Sequence, residues 1–483
     1  MAKVSAQPPK GTRDYLPVAV RQRQYAISII RQVYESHGFE PLETPAMERL
    51  DALAGKYGEE GDQLMFKVLL RGQPLVQGIE QAAALLQQPG AVIETRSGKV
   101  APGAPALLAD LGLRYDLTVP LARAYAANQA ALPPVFKRYQ IQPVWRADTP
   151  GKGRYREFCQ CDLDVVGSTS MLVEAEVAGA AVECLSRLGF QEFNLRTNHR
   201  GLLRALVEKA GLGPHQEVDA ITAIDKLDKV GAEGVERELA ERGVGEEARK
   251  ALLGLVAGGV AGGAPGDGAG GAAGGVGSGV TLERVAEFLR GHAAGEKAVA
   301  ELRQFIELAG DTAAGSRVRF DVSLARGLGY YTGTIFELVS PRFAGSIGGG
   351  GRYDGLIGLF LGREVPACGF ALGFERLLLL MEEGGLYPPN LGALQLVLGS
   401  TSDSDGGALL RASRELRAAG ISVSMSPRAE KPGKLRKAAE DRGAPFAAWL
   451  EAGQFQLWQR DGDSTERGLD AAGLVKLVTE RTR

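Results

Sequence analysis

The chain has 483 residues, more than one hydrophobic core ordinarily serves, so roughly two to four domains are expected. Its 56 Lys and Arg against 58 Asp and Glu leave a formal charge of −2, so bulk charge gives no warrant for nucleic-acid binding and any RNA surface must be a local patch. Four cysteines, Cys159, Cys161, Cys184 and Cys368, form no pair of C-x-x-C elements and no histidine-rich set; neither a zinc site nor a disulfide framework is indicated, and a reducing cytoplasmic setting fits.

The first ten residues lack the apolar run of a signal peptide and the Arg-rich pattern of a transit peptide, so export is not expected. From Val20 to His37 apolar residues recur at helical spacing (Tyr25, Ile29, Ile30, Val33, Tyr34), with Gly38 as a stop. Two later segments read with a period of two. Arg114, Asp116 and Thr118 share one face of a strand, opposite Leu113, Tyr115, Leu117 and Val119. Gln160, Asp162 and Asp164 likewise share a face, opposite Cys159, Cys161, Leu163 and Val165. Two such strands could floor an open, wet cleft, or be solvated faces of an ordinary sheet. Between them, residues 147–156 have the composition of a basic hairpin loop, with Arg154 a candidate phosphate contact and a plain surface loop the alternative.

Residues 195–315 read as a helical insertion, with helix-like stretches at Leu202–Ala210 and Thr281–Leu289 and a Gly-rich low-complexity run at 254–280. Pro265, Asp267 and the glycines of that run deny a stable membrane helix. Strand-like residues resume at Arg317–Ala325 and Tyr331–Val339. A glycine run with Arg352 and Tyr353 follows, suited either to close approach of a ligand or to a tight bend. Gly373–Arg376 leads into an apolar helix, which sets Arg376 near a helix start, where free N–H groups and a guanidinium converge on an anion. Beyond a Gly/Pro-rich linker, residues 392–483 alternate strand and helix as a small, basic α/β domain.

The stretch Arg326-Gly327-Leu328-Gly329-Tyr330-Tyr331-Thr332-Gly333-Thr334-Ile335-Phe336-Glu337 joins an arginine able to grip a phosphate to two tyrosines at a strand entry, and taken alone it reads equally as a surface arginine beside two core tyrosines. It resembles the signature of histidyl-tRNA synthetases. Leu113–Pro120, Trp145-Arg146 through Asp164, and Gly369–Arg376 agree with that family in the family's order, the last two resembling class II motifs 2 and 3. Pro45 would be the motif 1 proline, a dimer-interface feature.

The resemblance implies an α/β chain whose α+β catalytic domain is a class II antiparallel sheet flanked by helices. That domain would occupy residues 1–194 and 316–385, split by the helical insertion 195–315 and followed by an anticodon-binding domain at 392–483. It implies activation of L-histidine by ATP with Mg2+, transfer to tRNA(His), and a homodimer. Arg146, Arg326 and Arg376 would be catalytic, with Arg154 joining them on ATP. Asp116, Thr118 and Gln160 would hold the histidine α-amino group. Asp164 and Tyr331 would read its imidazole, and Tyr330 and Tyr353 complete the set. No resident metal site is expected. Gly329 stands where the family often has aspartate. A rival reading is a non-catalytic, histidine-sensing regulatory subunit of ATP phosphoribosyltransferase; such proteins generally lack the anticodon-binding domain and the adenylation arginines, whereas this chain has Arg146, Arg326 and Arg376 and a C-terminal segment that resembles that domain.

Overall fold

The computed structural model describes residues 5–55, 61, 63–87, 107–256, 280–325, 331–389, 391 and 394–482. Arg326 and Tyr330 lie outside the described residues, as do residues 257–279 of the Gly-rich run. The chain forms two compact units, Met1–Leu386 and Tyr387–Arg483.

The first unit is built on a sheet of eight strands: β1 (Glu40–Pro41), β2 (Phe136–Trp145), β3 (Glu157–Val166), β4 (Asn194–His199), β5 (Val318–Phe320), β6 (Thr334–Ser340), β7 (Phe343–Arg352) and β8 (Ala367–Gly373). Their spatial order is β1-β2-β3-β8-β7-β6-β4-β5. All neighbours are antiparallel except the two edge pairs, β1 with β2 and β4 with β5. One face of β3 carries Cys161, Leu163 and Val165 into a core closed by the helices Pro17–Ser36 and Met171–Arg187. The Tyr34 hydroxyl donates to the Cys161 carbonyl across that contact at 3.1 Å. All four cysteines are free and buried.

The first helix begins three residues before the periodic pattern predicts, because Pro17 supplies the fixed φ and missing N–H that a first helical position tolerates. It stops as expected, with Gly38 at φ +75°. Strand β4 joins the sheet before the chain enters the helices Arg200–Lys209, Pro214–Ile224, Leu227–Glu241 and Glu246–Val256. Among the described residues no helix is long and apolar enough to cross a membrane.

Register explains the glycines of β7 and β8. Arg138 (β2), Asp164 (β3), Gly369 (β8) and Gly351 (β7) stand side by side across four strands. Opposed residues of antiparallel strands point to the same face. A methyl group on Gly369 would lie 1.8 Å from Asp164 Oδ1, and one on Gly351 would lie 3.0 Å from Tyr331 Cδ1. The glycines therefore open a trough into which polar side chains of β3 lean. Gly369→Ala is expected to lower the thermal unfolding midpoint, since overpacking of this kind costs about 1–3 kcal/mol; an unchanged midpoint would mean that Asp164 has another place to go.

The second unit carries a five-stranded sheet in the order Val423–Met425, Leu396–Ser400, Phe446–Glu451, Gln454–Gln459, Ser464–Leu469. The first three strands are parallel and the last two form antiparallel hairpins. Sequence alternation gives one strand after Arg442 where the structure has three. The hairpin turn between the first two is made by Ala452 and Gly453 at φ +50° and +77°, and an alanine there hides the left-handed turn that Asn-Gly would announce.

Candidate active site

Strands β2 and β3 are joined by residues 146–156, closed by reciprocal backbone bonds between Gly151 and Arg154 (3.1 and 3.0 Å) and by Arg146 N–H donating to the Arg156 carbonyl at 2.9 Å. The Arg146 guanidinium donates to the Tyr115 carbonyl at 3.0 Å and stacks 4.3 Å above the Tyr115 ring. Arg376 sits in the first turn of the helix Phe374–Glu383 and donates to the Ser346 carbonyl at 2.6 Å.

Arg146, Arg154, Gln160 and Arg376 all line one cleft of about 420 Å³, floored by Ser346–Gly349 and Ala371–Gly373. Guanidinium groups and a helix N-terminus around a glycine floor make an anion site with room for a flat ring. A second cavity, about 380 Å³, lies among Glu283, Glu287, Glu296, Arg290 and Arg303 and holds none of these groups.

Asp116, Thr118, Asp164, Tyr331 and Tyr353 do not line that cleft. Asp164, Tyr331 and Tyr353 cluster beside its β3 wall. Asp164 is 2 % exposed; the Tyr353 hydroxyl donates to its Oδ1, and Arg138, fully buried, forms an ion pair with its Oδ2 at 2.7 Å. Gln160, which lines the cleft, donates to Asp162 Oδ1 at 3.3 Å, two residues before Asp164 on the same strand. Burial first, then the neighbouring Asp164 carboxylate, push the Tyr331 hydroxyl well above its ordinary pKa and keep it a donor.

Two expectations need correction. Arg114–Thr118 is not a strand: the strand ends at Leu113, and Thr118 opens the helix Thr118–Asn128. Asp116 Oδ1 accepts the Val119 N–H at 3.1 Å, a local bond that Asp makes readily and that competes with strand geometry. Arg114 is turned into the protein, where it donates to the Thr44 and Pro143 carbonyls and to Gln142 Oε1. Nor is the polar face of β3 wet. Asp162 and Asp164 are 1 % and 2 % exposed, because β2 lays Arg138, Gln140 and Gln142 alongside them.

Arg138 and Glu375 stand against these groups and were not singled out from the sequence; Asp162 was placed on the polar face of its strand but given no role. Arg138, Gln140 and Gln142 show the same period-two polarity as β3 and could have been read from it.

Burial raises the Asp162 pKa well above its ordinary value, with Arg138 and Arg146 opposing and Asp164 and Asp116 adding to the rise. Asp164 is raised for the same first reason. A carboxyl that holds its proton more tightly when folded favours the folded state at low pH; that contribution is lost as pH rises through the raised pKa. Asp162→Asn is therefore expected to stabilise the protein, with a larger gain in Tm at pH 8 than at pH 5. An equal gain at both would show that Asp162 is ionised throughout.

The family model for histidyl-tRNA synthetase matches residues 79–264 and 273–377. A histidine-tRNA ligase of Leifsonia xyli subsp. xyli is 40% identical over 470 residues, spanning 97% of this chain and 99% of the relative. One from Gloeobacter violaceus is 41% identical over 396 residues, spanning 78% of this chain and 75% of the relative. Among solved structures, the histidyl-tRNA synthetase from Nostoc sp. PCC 7120 superposes with a TM-score of 0.76 at 27% identity, covering 99% of this chain and 100% of that one.

Proposed function

The chain belongs to the histidyl-tRNA synthetase family, and from that premise we propose that it activates L-histidine with ATP and transfers it to tRNA(His). The carboxylate of histidine attacks the α-phosphorus, pyrophosphate leaves, and a terminal ribose hydroxyl of the tRNA then takes the histidyl group from AMP. The observation that carries this reading is the convergence of Arg146, Arg154, Gln160 and Arg376, from segments far apart in the chain, on one cleft beside the Asp164 cluster.

Arg146 and Arg376 hold the α-phosphate and the rest of ATP, Arg154 reaches the outer phosphates, and Arg326 joins Arg146. Fixed cations facing the developing charge are what an in-line displacement at phosphorus needs, so no protein nucleophile is required. Asp116, Thr118 and Gln160 hold the α-amino group. Asp164 accepts from one imidazole N–H and Tyr331 donates to the other nitrogen, with Tyr353 orienting Asp164 and Tyr330 counted among the histidine-binding residues. An apolar analogue would leave those buried polar groups unpaired and is rejected strongly for that reason.

Mg2+ accompanies ATP in this reading and neutralises charge on its phosphates. Among the described residues no group of three or more His, Cys, Asp or Glu is placed to hold a metal ion. The helical region between 195 and 315 contacts the acceptor stem, residues 392–483 read the anticodon, and the segment around Pro45 faces a second copy in a cytoplasmic homodimer.

The test is charging of a tRNA(His) transcript with labelled histidine. Histidyl-tRNA forming only with ATP is the expected result. Histidine binding by calorimetry with no charging would instead favour the regulatory-subunit reading.

A further inference from the structure

The segment Pro9–Tyr15 precedes residue 79, where the family match begins, and it contacts both elements that supply cations to the cleft. Glu375, one residue before Arg376, is 4 % exposed. Its carboxylate accepts from Arg13, from Arg23 at 2.8 Å, and from the Tyr15 hydroxyl and the Cys159 N–H at 3.3 Å each. The Arg13 guanidinium also donates to the Tyr155 hydroxyl at 2.8 Å and lies 3.8 Å from the Tyr155 ring centre. Tyr155 follows Arg154 and itself lines the cleft. One residue further, Arg156 N–H donates to the Gly11 carbonyl at 2.8 Å. Gly11 has φ +85°, and a Cβ there would meet Arg156 Cγ at 2.7 Å, so the backbone approaches that loop as only glycine permits.

We infer that residues 9–15 are a clamp that holds the 146–156 loop and the start of the Phe374–Glu383 helix in register for ATP, with Arg13 as its positioning residue. The inference rests on the proposed adenylation. Arg13 has one fork and two anchors: the buried Glu375 carboxylate fixes it to the helix that carries Arg376, and the Tyr155 hydroxyl and ring fix it to the loop that carries Arg154. A guanidinium suits this place because it donates in a plane and stacks on an aromatic face at once, and an ammonium does neither as well. With the fork gone, the loop keeps its hairpin bonds and the exposed Lys152–Glu383 ion pair at 2.8 Å but loses its buried tie to the start of the helix, so the cations facing ATP are held less firmly at a fixed spacing. The Asp164–Tyr353–Arg138 cluster, on the other side of Gln160, has no bond to the segment's Arg13.

The test is histidine-dependent pyrophosphate exchange by the full chain, with KM for ATP and for histidine measured separately in the unmodified protein, Arg13→Ala, Arg13→Lys and Tyr155→Phe. Arg13→Ala is expected to raise KM for ATP on the order of tenfold, the size of a lost charge-assisted hydrogen bond, while KM for histidine stays within about twofold. Arg13→Lys should recover part of the loss. Tyr155→Phe, which keeps the ring and removes only the hydroxyl, should shift KM for ATP in the same direction by less, and it decides the question if Arg13→Ala does not fold. Unchanged KM for ATP in these variants overturns the clamp, as does an equal change in both KM values in step with a loss of folded protein. No exchange by the unmodified protein overturns the adenylation reading itself, and the clamp with it.

Discussion

Arg146→Ala is expected to lower the rate of histidine-dependent pyrophosphate exchange by about 10²–10³-fold, the range seen when one preorganised donor to a developing oxyanion is removed. The stability cost should be much smaller. In the folded protein Arg146 is half-buried, donates to the Tyr115 carbonyl and, at 3.5 Å, to Gln160 Oε1, and stacks on the Tyr115 ring, contacts worth together about 1–2 kcal/mol. A guanidinium carries five N–H donors, more than these contacts use. Exchange kinetics and thermal unfolding on the same preparation separate the two effects. A fall in activity that only tracks the fraction unfolded would remove Arg146 from the phosphate site. Arg326, outside the described residues, carries the same expectation: adenylation lost far more than fold.

Asp164→Ala should be the more damaging change to the protein itself. Removing this carboxylate leaves Arg138, with no exposed surface, as an uncompensated buried cation, which costs about 3–5 kcal/mol. The Tyr353 hydroxyl loses its acceptor at the same time. Asp164→Asn distinguishes fold from function, because an amide oxygen still accepts from Tyr353 while the charge that would receive an imidazole N–H is gone. For Asn the expected result is a modest loss of Tm and a rise of roughly tenfold or more in KM for histidine, with KM for ATP little changed. Equal KM values for histidine in Asp164→Asn and the unmodified protein would place imidazole recognition elsewhere.

The parts of this site that could be read from sequence are those where one physical rule dominates. Period two in residues 159–165 is enforced by the pleat, so Gln160, Asp162 and Asp164 had to share a face. Glycine and basic residues between two strands had to be a loop, and Gly373–Arg376 had to lead into a helix. The parts that were misread are those where two rules compete. In Arg114–Thr118 the alternation is real, but the Asp116 bond to Val119 N–H and a proline at 120, allowed in a helix's first turn, decide for a helix start. Alternation also cannot say what covers a polar face; the neighbouring strand that brings Arg138 against Asp164 does, and register between distant strands is not local information. The clamp by Arg13 was invisible for the same reason, since its partners stand at 155 and 375.

Pyrophosphate exchange into ATP, with Mg2+, no tRNA, and each of the twenty amino acids in turn, tests the proposed activity most directly. Exchange with histidine alone is the expected result, since it requires the phosphate cleft and the Asp164 cluster to act on one substrate pair. Exchange with a different amino acid, or none with histidine despite its binding, would contradict the proposed roles of these residues.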